Sequence, residues 1–358
     1  MQQHAGDFLR TLPQRKLVTI CYSFAILAAL LLWTHSSGYL GAPAEPEAIK
    51  VPPVVSPSDT TPIPPPAPLL PSWYIASLAS CGNETHAETR KVWLEADARY
   101  AHLADDKFTI AIPTYKRPDV LNGTLAKLLN YKIPSLHEIV VIWNELDKAP
   151  PSGFVSKHGV AVRYRTSERN SLNNRLFPDP EYQTQAVLTH DDDVWYEHDD
   201  VEFVFQTWRQ LGRYRLTGAL PRCYSRNGKG MLQYHQCRDG SDWYALILTG
   251  LSFVHVSFLD YYWSDEAIPT RMRQHVDEAF NCEDLAMNYV ASMLTCAGPL
   301  NVIGKHPYTN LDPKGGISKK GNHRTLRHNC LNVFEHIVGF LPLVHSMGSI
   351  KRGTPHFN

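Results

Sequence analysis

Three aspartates stand in a row at Asp191, Asp192 and Asp193, separated only by His190 from the β-rich run at 186–189. Like charges a few Å apart raise one another's pKa unless a cation compensates them. Aspartate oxygens are hard ligands suited to Mg or Mn, and such metals are commonly held by one or two carboxylates together with the phosphate oxygens of a nucleotide. The run therefore predicts a divalent metal that neutralises a diphosphate leaving group. A second acidic pair, Glu283 and Asp284, opens a stretch whose apolar residues at 285, 286, 289, 290, 293 and 294 have helical spacing. Acids at a helix start favour its dipole by about 0.3–1 kcal/mol and need no function for that. A carboxylate in that place can also orient a hydroxyl or stabilise an oxocarbenium-like centre. Asp199 and Asp200, before the helical run at 201–211, read as caps of that helix. His190 reads as a hydrogen-bonded structural histidine.

Position comes from the elements around these acids. From Phe108, short β-rich runs alternate with helical ones: FTIAIPT, the helical VLNGTLAKLLN, EIVVIW, VAVRYR, AVLTHDDD and the helical VEFVFQTWRQL. Such alternation predicts an α/β fold with a largely parallel sheet and crossovers on its faces. Ligands of these sheets sit at the carboxyl ends of the strands. The polar clusters at 113–117, at Asn144, at 166–175 and at 190–193 all follow strands and fall on one edge. Eight aromatics, Trp195, Tyr196, Tyr234, Trp243, Tyr244, Tyr261, Tyr262 and Trp263, fall in the second half, each read first as core and together as compatible with an acceptor groove.

The 358 residues balance 35 Lys and Arg against 35 Asp and Glu, so no global excess favours nucleic acid, and an anionic ligand must be held locally. Residues 17–33 are 17 long without a charge and reach roughly 25 Å, enough for a thin bilayer. Arg10, Arg15 and Lys16 precede them, and no Lys or Arg follows until Lys50, which places the N-terminus in the cytosol. Eleven prolines between 42 and 72 exclude a core there and favour an extended stem. Seven cysteines include no CxxC pair, which argues against a zinc module, and the six between Cys81 and Cys330, apart from Cys21, suit an oxidising compartment. The resulting layout is a cytosolic tail (1–16), a transmembrane anchor (17–33), a Pro-rich stem and lead-in (34–100), one domain (101–345) and a C-terminal tail (346–358).

The segments TYKR at 114–117, VVIWN at 140–144, RNSLNNR at 169–175, the triple aspartate and NCED at 281–284 together resemble the exostosin-like glycosyltransferases, glycosyltransferase family sixty-four, from about Phe108 to Leu343. The resemblance implies a GT-A fold, Mn2+, a UDP-sugar donor of the hexosamine type such as UDP-GlcNAc or UDP-GalNAc, a glycan or glycoprotein acceptor, and transfer with retention. It also implies a type II protein of the Golgi or endoplasmic reticulum membrane, with the catalytic domain lumenal. Arg117, Asn144, Asn170 and Arg175 match positions that hold uridine and diphosphate. Asp191 and Asp192 resemble positions near the ribose and sugar, and Asp193 resembles the direct metal ligand. Asp284 matches the catalytic carboxylate with Glu283 beside it, and Arg327 matches an arginine facing the diphosphate, with Arg324 an open alternative. The family also suggests a disulfide between Cys282 and Cys330. Cys223 and Cys237 are placed to close a hairpin, which leaves Cys81 and Cys296. Resemblance leans to a front-side route, in which the departing phosphate deprotonates the incoming hydroxyl. The alternative reading is a catalytically silent lumenal UDP-sugar or glycan binding protein of the same fold. A metal-dependent phosphohydrolase would use clustered aspartates too, but has no need of the Asn and Arg segments in this order.

Overall fold

The computed structural model describes residues 87–237, 243–311, 319 and 321–353. The expected tail, anchor and stem up to residue 86, with Cys81, lie outside the described residues. Among the described residues, no helix is long and apolar enough to cross a membrane.

Helix α1 (Ala87–Tyr100) is followed by strand β1 (Ala104–Thr114), helix α2 (Pro118–Asn130), and strands β2 (Leu136–Trp143), β3 (Phe154–Val155) and β4 (Ala161–Thr166). A 3-10 turn (Leu172–Leu176) leads to β5 (Thr184–His190), β6 (Val194–Trp195) and helix α3 (His198–Thr207). Short strands follow: β7 (Thr217–Gly218), β8 (Pro221–Arg226), β9 (Leu232–His235), β10 (Trp243–Tyr244), β11 (Leu246–Ile247) and β12 (Leu251–His255). Helices α4 (Val256–Trp263), α5 (Ala267–Ala279) and α6 (Glu283–Thr295) precede β13 (Leu300–Ile303) and β14 (Thr309–Asn310). Helix α7 (His323–Val338) and strands β15 (Ser346–Met347) and β16 (Ile350–Lys351) complete the order.

Nine strands make one mixed sheet in the order β16-β13-β7-β12-β5-β1-β2-β4-β3. Strands β5, β1, β2 and β4 run parallel, as the alternating runs predict. Beyond β5 the sheet turns mixed, because β12 pairs antiparallel with both β5 and β7. The central parallel strands β1 and β2 carry unbroken apolar stretches, at 110–112 and 139–143, because both their faces are covered there. Side chains alternate between faces: Ala111, Val140, Ile142 and Val187 enter one core cluster, while Ile110, Ile112, Ile139, Val141 and Leu188 enter the other. Helix α2 starts at Pro118, where a missing N–H costs nothing, and buries Leu121, Thr124, Leu125 and Leu128 at helical spacing.

Two segments outside the expected 101–345 join this fold. In α1, Trp93 is fully buried, stacks on Phe258 at 5.2 Å and donates from Nε1 to Ser257 Oγ at 3.0 Å. In the expected C-terminal tail, β16 pairs parallel with β13. The capping role expected for Asp199 and Asp200 is corrected: the N-cap of α3 is Glu197, two residues before the first of them and three before the second. Asp200 instead turns its buried carboxylate away from its own helix. It accepts from the backbone N–H groups of Lys305 (2.8 Å) and His306 (3.0 Å) and from Arg352 (2.9 Å). Of the eight aromatics, Trp195, Tyr196, Tyr234, Tyr244, Tyr261 and Tyr262 are buried in the core, whereas Trp243 is 56 % exposed.

Candidate active site

The triple aspartate follows the end of β5, with Asp192 and Asp193 in the turn that leads into β6. Asp191 and Asp193 open onto a cleft of about 280 Å³, and Asp192 points into the fold. Their side chains are 35 %, 15 % and 0 % exposed in the order Asp191, Asp193, Asp192. The Asp191 carboxylate fits because residue 250 is glycine: a Cβ there would sit 2.4 Å from its Oδ2. Asp192 accepts from Thr114 Oγ1 at 3.0 Å. Burial pushes its carboxyl up to about 6 against the pull of Arg117, and raises Asp193 as well, with Asp191 adding. His190 is fully buried and held neutral, its pKa brought down to about 4 by burial.

Two arginines carry part of the compensation that the crowded carboxylates demand. After β1, Lys116 adopts a left-handed backbone (φ 55), and this reversal sets Arg117 just before α2. Its Nη1 lies 3.0 Å from Asp193 Oδ2, and its Nη2 pairs with Asp192 Oδ1. The 3-10 turn presents Arg175, buried, with Nη2 2.7 Å from Asp191 Oδ1 and Nε 3.7 Å from Glu283 Oε1. Burial opposes the Arg175 charge, and Asp191, Glu283 and Asp284 overcome it, so its pKa is raised.

Opposite, two left-handed residues, Phe280 (φ 47) and Cys282 (φ 78), turn the chain from α5 into α6 and aim Glu283 and Asp284 at the cleft. Asp284 accepts from the Leu285 N–H at 2.7 Å, the expected helix-start contact, and pairs through its other oxygen with Arg327 Nη2 at 2.6 Å. Arg327, on α7, lies over the Tyr234 ring at 4.4 Å and donates to Asn281 Oδ1 at 3.4 Å. Arg324 on the same helix is exposed and does not line the cleft. A disulfide between Cys282 and Cys330, with Cα atoms 6.4 Å apart, ties the α6 start to α7, and Cys223 is bonded to Cys237. Burial pushes Glu283 up to about 7, with Arg175 opposing and Asp284 adding.

The structure thus brings Arg117, Arg175, Asp191, Asp193, Glu283, Asp284 and Arg327 into one cleft at the carboxyl ends of the parallel strands. Three expected donor contacts stand off it. Asp192 is buried behind Arg117, Asn144 is buried and accepts from Asn174 Nδ2 at 2.7 Å, and Asn170 is half-buried ahead of the turn. The cleft also holds residues that sequence reasoning missed, Arg222, Tyr308 and Asn310. Arg222 follows a proline on a short strand and carries no spacing signal; Tyr308 and Asn310 arrive because β14 pairs antiparallel with β6, next to Asp193.

Among the described residues, no group of three or more His, Cys, Asp and Glu converges on a point that could hold a metal. Asp193, with Asp191 beside it, offers two hard carboxylates on an open cleft wall. That suits a cation whose remaining ligands are water and phosphate, and not one caged by protein alone.

Over residues 108–354 the chain matches the glycosyl transferase family 64 domain. It is 34 % identical over 243 residues to the Exostosin-like-3 homolog of Caenorhabditis elegans, covering 67 % of this chain and 28 % of that protein. It is 29 % identical over 271 residues to Exostosin-like 2 of Mus musculus, covering 71 % and 79 %. To Glucosamine inositolphosphorylceramide transferase 1 of Arabidopsis thaliana it is 35 % identical over 256 residues, covering 67 % and 31 %. The chain therefore spans less than a third of the worm and plant relatives and about four fifths of the mouse one. With its cleft residues inside the matched span, the chain belongs to glycosyltransferase family 64, the exostosin family.

Proposed function

We propose that the chain is a retaining, Mn2+-dependent glycosyltransferase of GT-A type that moves a hexosamine-type sugar from a UDP-sugar to a glycan acceptor, anchored in the secretory pathway. One observation carries the reading: four arginines and four carboxylates, drawn from segments as far apart as Arg117 and Arg327, line one cleft beyond the strand ends. The plant relative is named for glucosamine, in keeping with a hexosamine-type donor, and for inositolphosphorylceramide, which belongs in an acceptor panel.

Asp193 and Asp191 are the residues that would hold the cation. A bound Mn2+ would supply Lewis-acid neutralisation of the leaving diphosphate. Arg175 and Arg327 present guanidinium groups whose orientation is fixed before the donor arrives, by Asp191 and Glu283 in one case and by Asp284 and Tyr234 in the other. Such donors lower the barrier because they need not reorganise as charge moves onto the phosphate. Asp284 and Glu283 face the space between these arginines, where they position the acceptor hydroxyl and offset positive charge at the anomeric carbon. A panel of UDP-sugars assayed for UDP release with MnCl2, with and without glycan acceptors, tests the reading. Acceptor-stimulated release from a UDP-hexosamine is expected; UDP binding with no turnover of any donor would make the chain a silent binding protein.

A further inference from the structure

Asp277, outside the cleft, holds together the two segments whose charges meet inside it. It sits in the last turn of α5, next to Glu278, where an acid opposes the helix dipole, so its place there calls for other partners. It has three, two from the stretch leading into the 3-10 turn and one, Asn173, from the turn itself. Its Oδ1 accepts from Ser171 Oγ and from Asn173 Nδ2 (3.0 Å), and its Oδ2 pairs with Arg169. Asn173 is further fixed by donating to the Arg273 carbonyl at 2.9 Å and accepting from the Tyr262 hydroxyl at 2.6 Å. Arg175 lies two residues beyond Asn173. On the other side, the Phe280 N–H donates to the Asp277 carbonyl at 3.3 Å as the chain reverses toward Glu283 and Asp284.

We infer that Asp277 is a positioning residue that sets Arg175 against Glu283 and Asp284, so that the donor-side turn and the acidic segment move as one unit. This rests on the function proposed above. A five-residue turn has little order of its own, and a buried guanidinium aimed at a phosphate loses much of its effect when displaced by about 1 Å. The clamp acts on UDP through Arg175 and not by contact, because Asp277 does not line the cleft.

The test is a double-mutant cycle read by UDP affinity in MnCl2 with isothermal calorimetry, alongside turnover and melting temperature. Asp277→Ala is expected to weaken UDP binding about tenfold, and Asp277→Asn to retain most of the affinity, since an amide oxygen still accepts from Ser171 and Asn173. In an Arg175→Ala background, Asp277→Ala should add little further loss, because the group it positions is gone. A purely structural role would lower the melting temperature and leave the two losses multiplicative. Multiplicative losses, or unchanged UDP affinity in folded Asp277→Ala, overturn the inference. If Asp277→Ala does not fold, the cycle is run with Ser171→Ala, for which about a threefold, Arg175-dependent loss is expected and an Arg175-independent one overturns the clamp. Wild-type protein that binds no UDP would sink the proposed function itself, and the inference with it; multiplicative losses in a protein whose wild type binds UDP sink the inference alone.

Discussion

Replacing Asp284 by Asn separates catalysis from stability. The carboxylate and Arg327 are 2.6 Å apart with side chains 8 % and 5 % exposed, so the variant leaves a buried guanidinium without its nearest counter-charge. Breaking such a pair from one side costs about 3–5 kcal/mol. Asparagine has one carbonyl oxygen where the aspartate uses two, one for the Leu285 N–H and one for Arg327, so one contact is lost. Glu283 and the remaining contact soften the loss, which places it near the lower end, about 3 kcal/mol, or a fall in melting temperature of roughly 6–12 °C for a domain of this size. Turnover should fall further than stability accounts for, by about 10²–10³, while UDP affinity stays within a few-fold. The double variant Asp284→Asn with Arg327→Gln removes the stranded charge and should regain much of the melting temperature but none of the turnover. Differential scanning fluorimetry, calorimetry with UDP and UDP-release kinetics on the three variants read each quantity separately. If turnover per folded molecule is near wild type in Asp284→Asn, or returns in the double variant together with stability, Asp284 serves the helix start and the α7 contact only.

Asp193→Asn should abolish Mn2+-stimulated turnover and remove the gain in UDP affinity that Mn2+ gives, whereas retained stimulation in a metal titration would rule out the assigned ligand. Glu283 is raised from the ordinary 4.5 to about 7, so the folded state binds its proton more tightly than the unfolded chain does. Its contribution is therefore fully present below about pH 4.5 and is lost as the pH climbs toward 7; Glu283→Gln should flatten the melting temperature over that window, and an unchanged profile would refute the buried-acid assignment. Cys330→Ser opens the bridge spanning 48 residues, and on the chain-entropy model the loss is about 4 kcal/mol; a melting temperature within 2 °C of wild type would show that the bridge adds little.

Sequence alone was enough for the central parallel strands because burial on both faces leaves an uninterrupted apolar signature, as at residues 110–112 and 139–143. It was not enough for β7, β10, β11, β14, β15 and β16, each two residues long and so without periodicity. The same limit hid Arg222, Tyr308 and Asn310, which reach the cleft through pairings that no local pattern encodes. Motif order located the acids and arginines. Their partners stayed invisible: Arg175 meets Asp191 from 16 positions away and Glu283 from 108, and Asp284 meets Arg327 across 43.

Those pairings change the reason for expecting a cation. Crowded aspartates do not by themselves require one, since Arg117 and Arg175 already lie on all three. The stronger argument comes from the cleft walls, where Arg117, Arg175, Arg222 and Arg327 face Asp191, Asp193, Glu283 and Asp284, four charges against four when Glu283 is ionised. A site so balanced has no surplus positive charge for the two negative charges of a sugar diphosphate, and desolvating them in a cleft is costly. A divalent ion held by Asp193 and Asp191 would restore neutrality, and Arg117, which pairs with Asp193 through Nη1, would then be available to the phosphates. On this account Asp193→Asn and Arg117→Ala weaken UDP binding by different routes. The first removes the dependence on Mn2+ and the second leaves it in place, and a metal titration of both variants that shows the same residual Mn2+ dependence would contradict that division.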